Sequence, residues 1–185
     1  KNILTGQFEG LNRKYILFVG ARDYYKNFNI ALEVVSKLDG FDLVVVGGGE
    51  FSKKEIATLE ASIQSRYFHF LGLDNEKLNI LYNNAELLIY PSAYEGFGIP
   101  ILEAMRAGCP VVATKSSSIP EVSNGAALEV EKINVDSFLN KINLLNDRKF
   151  KDILCQKGFD NAKRFSWDKC YQETHSFYLE CFNKK

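Results

Sequence analysis

Two carboxylates, Glu95 and Glu103, bracket the run Gly96-Phe97-Gly98-Ile99-Pro100, and this stretch carries the clearest chemistry in the sequence. Proline suits the first position of a helix, where its missing N–H costs nothing, so the run reads as a loop turning into a helix. A helix start approached through two glycines offers free backbone N–H groups and a positive dipole end, and a phosphate is the anion that suits it. The N–H groups of Gly96, Phe97 and Gly98 are expected to face a sugar and that of Ile99 a phosphate. Glu103 falls about one turn into the helix, so its side chain returns toward the loop mouth. There an acceptor-only carboxylate matches both hydroxyls of a vicinal diol such as a ribose. Glu95 stays on the loop, beside the phosphate, within reach of sugar hydroxyls. The plainer alternative is that Glu103 complements the helix dipole and Glu95 is a solvated loop acid, each worth up to about 1 kcal/mol.

Positioning such a loop requires a strand before it, and residues 85–90 supply a short buried one. In open parallel sheets, ligands bind beyond the carboxyl ends of strands. Further apolar runs at 15–19, 41–46, 67–72 and 110–114 alternate with helical patterns, which predicts an α/β domain built on an open, doubly wound parallel sheet. Gly20 closes the first strand, and Arg22 and Lys26 follow it before a helix through Ile30 to Leu38. Gly47, Gly48 and Gly49 follow the second strand and are expected to let backbone approach a ligand, although no GxGxxG fingerprint is present. Ser52 and Glu55 form a capping box, and Asp74 caps the helix carrying Leu78 and Leu81. His69 reads as a strand residue packed between neighbours. Three helices close the chain, and the last, opening at Ser166, carries Trp167, Tyr171, His175, Tyr178 and Phe182. That aromatic stripe is expected to stay exposed or to serve a contact.

The 185 residues, 46% of them hydrophobic, suffice for one compact domain. Lysine plus arginine equal aspartate plus glutamate at 23 each, so bulk charge argues for no nucleic-acid partner and any phosphate site must be local. The cysteines Cys109, Cys155, Cys170 and Cys181 lack CxxC spacing, and only two histidines are present, so reduced thiols and no metal site are expected. No apolar run approaches the roughly 18 to 20 residues of a membrane span and no signal peptide is visible, which points to the cytoplasm. The chain opens with lysine, and residues 1–14, polar and aperiodic, read as a linker from a preceding segment.

Glu95 and Glu103 with Gly-Phe-Gly and Pro between them, Pro91-Ser92 before, and Ala104-Met105 and Gly108-Cys109-Pro110-Val111-Val112 after, resemble the E-x7-E signature of GT-B glycosyltransferases of family four. The segments Ser118-Ile119-Pro120-Glu121-Val122 and Gly125-Ala126-Ala127 resemble that family too, with a structural reading. The resemblance runs from Tyr15 to the end and implies the C-terminal, donor-binding half of a retaining, metal-independent enzyme. Such an enzyme transfers a hexosyl group from a GDP- or UDP-sugar to an acceptor, here unidentified, in bacterial polysaccharide or glycolipid assembly.

By that resemblance Glu103 holds the donor ribose, Glu95 touches the hexose, and Arg22 and Lys26 clamp the diphosphate. Main-chain atoms near Leu71 meet the base, and residues 15–165 form the donor domain. Residues 166–185 brace a missing N-terminal acceptor domain, through which peripheral membrane association at the inner face remains open. Without that half the fragment is expected to be inactive. A departing diphosphate gains negative charge, which gives an independent reason for fixed cations beside it. A noncatalytic nucleotide-binding domain of the same fold is the alternative. A nicotinamide-dependent oxidoreductase is disfavoured, because no glycine fingerprint follows Val19.

Overall fold

The computed structural model describes residues 8–183. Parallel strands β1 (Lys14–Val19), β2 (Phe41–Val46), β3 (Tyr67–Phe70), β4 (Leu87–Tyr90), β5 (Val111–Thr114) and β6 (Leu128–Val130) form one six-stranded sheet in the order β3-β2-β1-β4-β5-β6. Between and after them lie α1 (Phe28–Ser36), α2 (Lys53–Ile63), α3 (Asn75–Asn84), α4 (Ile99–Arg106), α5 (Ile119–Ser123), α6 (Val135–Asn143), α7 (Arg148–Ala162) and α8 (Trp167–Asn183).

The sheet is buried on both faces, which is why its strands read as unbroken apolar runs. Alternate residues of β1 feed opposite layers. Tyr15 and Leu17 join Leu81 and Tyr82 of α3 and Ile101 and Met105 of α4, whereas Ile16 and Phe18 join Val34 and Val35 of α1, Leu59 of α2 and Phe138 of α6. Each such side chain withdrawn from water contributes about 1.5 to 3 kcal/mol, so the helices have no comparable alternative seat. The Ser52–Glu55 capping box and the Asp74 cap form as expected and fix where α2 and α3 begin.

Several expectations need correction. Strand β6 was not foreseen, because three residues with a central Glu129 carry too little pattern to separate a strand from a loop. β3 stops at Phe70, leaving Leu71 and Gly72 in the loop beyond it. Pro100 occupies the second helical position, since Ile99 is the first; its missing N–H still falls among those a helix start leaves unpaired. The segment from residue 8 to 14, read as linker, is packed: Phe8 and Leu11 are buried, and Phe8 meets Phe70 edge-on at 5.0 Å between ring centres. Residues 1–7 of that expected linker lie outside the described residues, as do 184 and 185. The aromatic stripe of α8 stays exposed as anticipated: no residue of the helix is buried, and Trp167, Tyr171, Tyr178 and Phe182 face solvent.

Candidate functional site

Parallel strands put all their carboxyl ends on one rim, so the loops after β1, β2, β3, β4 and β5 gather there. β1 is paired with both β2 and β4, and the winding direction reverses at the β1–β4 gap, where a crevice for ligands opens in sheets of this order. The site residues expected from sequence lie in loops, turns or a helix start that follow these strands, except Glu103, which falls in the second turn of α4.

The crevice is bridged from wall to wall. Lys26, in the short 3-10 turn Tyr24–Lys26 after β1, donates to Glu95 Oε1 at 2.6 Å, with both side chains largely buried. Ala93 N–H donates to Tyr25 O at 2.7 Å, and Asn27 Nδ2 donates to Pro91 O at 2.9 Å. Asn27 holds a left-handed backbone at φ 50°, a conformation asparagine tolerates better than most residues, and so turns the chain from the 3-10 turn into α1. Tyr90, at the end of β4, lies beneath the pair with its ring 5.6 Å from Lys26 Nζ. Burial, and next the Glu95 charge, hold the Tyr90 hydroxyl protonated far above the usual tyrosine range.

The glycine loop has the form expected of an anion seat. Gly98 adopts φ 101° as the residue preceding α4, a left-handed backbone that favours glycine. Among the described residues no acceptor takes the N–H of Gly96, Phe97, Gly98 or Ile99. The loop is held from behind by Ser118, which the sequence reading had treated as structural only, and by Ser117 before it. Ser117 Oγ accepts from Glu95 N–H at 2.8 Å, and Ser118 Oγ donates to Glu95 O at 2.9 Å and Phe97 O at 3.0 Å. Phe97 also packs edge-on against Phe165, ring centres 5.7 Å apart.

Glu103, half-buried on α4, accepts from the Tyr82 hydroxyl at 2.9 Å through Oε2. Burial, and then the neighbouring Glu103 charge, keep that hydroxyl protonated well above the ordinary tyrosine range.

Arg22 reaches the rim but is not an open cation. Its Nε donates to Glu55 Oε1 at 2.8 Å, Nη1 to Gly47 O and Gly49 O at 3.1 Å each, and Nη2 to Glu50 O at 2.9 Å; the guanidinium lies 4.2 Å from the centre of the Phe51 ring. The side chain is 5% exposed, so this cation ties down the turn after β2. Gly48 belongs to that arrangement: at φ 80°, a Cβ there would stand 2.6 Å from Arg22 Nη1 and 3.1 Å from Gly20 O. The absence of a side chain at Gly48 therefore makes room for Arg22 and for the Gly20 backbone, a nearer reason than approach to a ligand. His69 packs as expected, its ring 4.2 Å from that of Phe51 and Nε2 3.1 Å from Gly47 O. Leu71 is exposed just past β3.

Sequence reasoning missed Tyr82, Tyr90, Asn27, Ser117 and Ser118. Ser118 carried a signal, in a segment whose family likeness was read as structural, as did Asn27, which directly follows Lys26 in the family-like Gly-x-Arg…Lys-Asn element.

A six-stranded doubly wound parallel sheet whose winding reverses between β1 and β4 defines a Rossmann-like α/β domain. The chain belongs to the glycosyl transferases group 1 family, whose model matches residues 5–164. It is 33% identical over 172 residues to the O-antigen chain mannosyltransferase B of Escherichia coli, an alignment covering 89% of this chain and 45% of that protein. Anabaena Alr3699/HepE in complex with UDP-glucose superimposes with a TM-score of 0.83 at 18% identity, over 97% of this chain and 52% of that one. The C-terminal domain of a Francisella tularensis glycosyl transferase group 1 family protein, LpcC, does so with a TM-score of 0.69 at 23% identity, over 82% of this chain and 85% of that one. The chain thus spans about half the length of the curated relative it matches.

Proposed function

We propose that this chain is the C-terminal, donor-binding half of a retaining glycosyltransferase that moves a hexosyl group from a nucleoside-diphosphate sugar to an acceptor hydroxyl in bacterial polysaccharide or glycolipid assembly. The observation that carries the reading is the bridge across the gap between β1 and β4. Lys26 and Glu95 meet there, and the free amides of 96–99 and then Glu103 follow Glu95 along the same loop and helix, a set of groups that can serve hexose, diphosphate and ribose. The UDP-glucose held by the Anabaena protein, the mannosyl transfer named for the Escherichia coli relative, and the C-terminal position named for the Francisella domain all support it.

In this reading the diphosphate enters at the glycine loop, and Lys26 turns from Glu95 toward it. Glu95, released, takes hydroxyls of the hexose, and Glu103 takes those of the ribose. The bond from the anomeric carbon to the diphosphate oxygen breaks, and the acceptor oxygen bonds that carbon from the same face. The acceptor proton passes to the departing phosphate oxygen. Charge gathering on the leaving group is met by Lys26 and the loop amides, which act most strongly where water is excluded. In this reading the neutralising role falls to these fixed donors, without a resident metal. Arg22 contributes by holding the turn beside Gly20. The exposed stripe of α8 braces the acceptor-binding half, from which membrane attachment would come.

The test is thermal stabilisation by guanosine, uridine and adenosine diphosphates and their sugars, since a ligand that binds only the native state raises its melting point. Transfer assays on the whole protein then use the stabilising donor. A rise with one nucleotide family, lost in Lys26→Ala, supports the reading; no rise with any of them overturns it.

A further inference from the structure

We propose that Tyr82 is a positioning residue for the donor ribose: its hydroxyl, fixed in the core, sets the plane of the Glu103 carboxylate so that Oε1 meets the diol. The proposal rests on the reading that Glu103 holds that ribose.

A carboxylate turns easily about its last torsion, where the preferred wells are broad. Recognising a vicinal diol needs the opposite, two acceptor sites held in one plane at one orientation. Glu103 is half-buried on α4, and its own helix supplies no side chain that fixes its head. The constraint comes from α3, 21 positions earlier in the chain, through the 2.9 Å bond from Tyr82 to Oε2. Tyr82 is 2% exposed within the layer formed by Tyr15, Leu81, Ile101 and Met105, so the phenol has no room to follow a wandering carboxylate. The hydroxyl stays protonated across any working pH and donates permanently. Oε1, with no protein donor among the described residues, is left for a ligand.

This arrangement differs from that of Glu95. Glu95 is held by a cation that must leave when a diphosphate arrives, whereas Glu103 is held by a neutral group that stays. One acid is switched by the donor; the other is prepared for it.

The test compares binding of guanosine and uridine diphosphates with their 2′,3′-dideoxy forms, by calorimetry on the whole protein. With the native chain, the ribose form of the preferred nucleotide should bind more tightly than the dideoxy form. In Tyr82→Phe, affinity for the ribose form should fall about 5- to 10-fold, the cost of re-ordering one freed side chain, while the dideoxy form binds as before. A merely structural hydroxyl would weaken both forms alike, and that result overturns the proposal. Should Tyr82→Phe misfold, Glu103→Gln is compared with the double variant Tyr82→Phe/Glu103→Gln. Equal discrimination in these two supports positioning through Glu103, and a further loss in the double variant overturns it. If the native chain binds a nucleoside diphosphate but does not distinguish the two sugars, the ribose role of Glu103 fails and this proposal with it; if it binds none, the donor reading itself fails.

Discussion

Lys26 Nζ and Glu95 Oε1 stand 2.6 Å apart across the gap between β1 and β4, joining two loops that are 69 positions apart in the chain. Each partner satisfies the other's charge, and both side chains are largely buried. Replacing Lys26 by Ala leaves a mostly buried carboxylate alone. That should lower stability by about 2 kcal/mol or more and turnover of the whole protein by about 100-fold or more. Urea denaturation and donor-saturated rates measure the two separately. The double variant Lys26→Met/Glu95→Gln should recover the stability without recovering the rate.

Arg22 makes a planar fork onto Glu55 and the carbonyls of the turn after β2. Lysine keeps the charge but cannot reproduce that fork, so Arg22→Lys should destabilise the domain by about 2 kcal/mol. In the whole protein, Arg22→Ala should also cut turnover by about 100-fold or more, by releasing the turn beside Gly20 and displacing the backbone at the rim. Turnover close to that of the native protein in Arg22→Ala would take this residue out of the mechanism.

Gly48→Ala tests the same turn from the other side. Its φ of 80° costs an L-residue about 1 to 2 kcal/mol, and the new methyl would displace the guanidinium besides. The variant should melt lower than the native chain and lower than Gly40→Ala, which has a similar backbone angle but nothing within 4 Å of its added methyl. Equal melting temperatures for the two would show that Arg22 tolerates the intrusion.

Glu55 makes part of this stability depend on pH. Burial alone would raise its carboxyl pKa, but the hydrogen bonds from Arg22 and Ser52 outweigh that and bring it from its ordinary 4.5 to about 2. A depressed folded-state value means the stabilisation is complete above the unfolded value and is lost as pH falls through the folded one. The stability difference between the native chain and Glu55→Gln should therefore be largest above about pH 5 and shrink between 4.5 and about 2. Urea midpoints taken from neutral pH downward check it; a difference independent of pH would show that the carboxylate charge is not involved.

The exposed face of α8 gives a test of domain pairing. Because Tyr171, Tyr178 and Phe182 are solvated, replacing all three by Ser should change the stability of this domain by no more than about 0.5 kcal/mol per site. In the whole protein the same triple variant should lower the melting temperature and the transfer rate. No effect there would remove the bracing role.

The sequence made the frame legible wherever burial on both faces left unbroken apolar runs, as at Ile16 to Val19 or Leu43 to Val46. It also exposed the Glu95–Glu103 spacing, because both acids sit within one loop and helix. Side chains whose meaning lies in a distant partner stayed hidden. Nothing near Tyr82 announces Glu103, and nothing near Lys26 announces Glu95. Arg22 was correctly placed on the rim, but where its guanidinium points depends on how Gly47 to Glu50 fold back, a backbone path that glycines leave open. β6 escaped for want of length. Phe8 and Leu11 escaped because two apolar residues among polar ones make no period.

The strand order has a consequence for how the domain comes into being. β1 and the turn carrying Lys26 belong to the half that winds one way through β3, while β4 and the glycine loop open the half that winds the other way. Neither half alone holds both Lys26 and Glu95, so the bridge across the gap exists only where the second winding packs against the first, and either half by itself would leave a charged side chain without its partner.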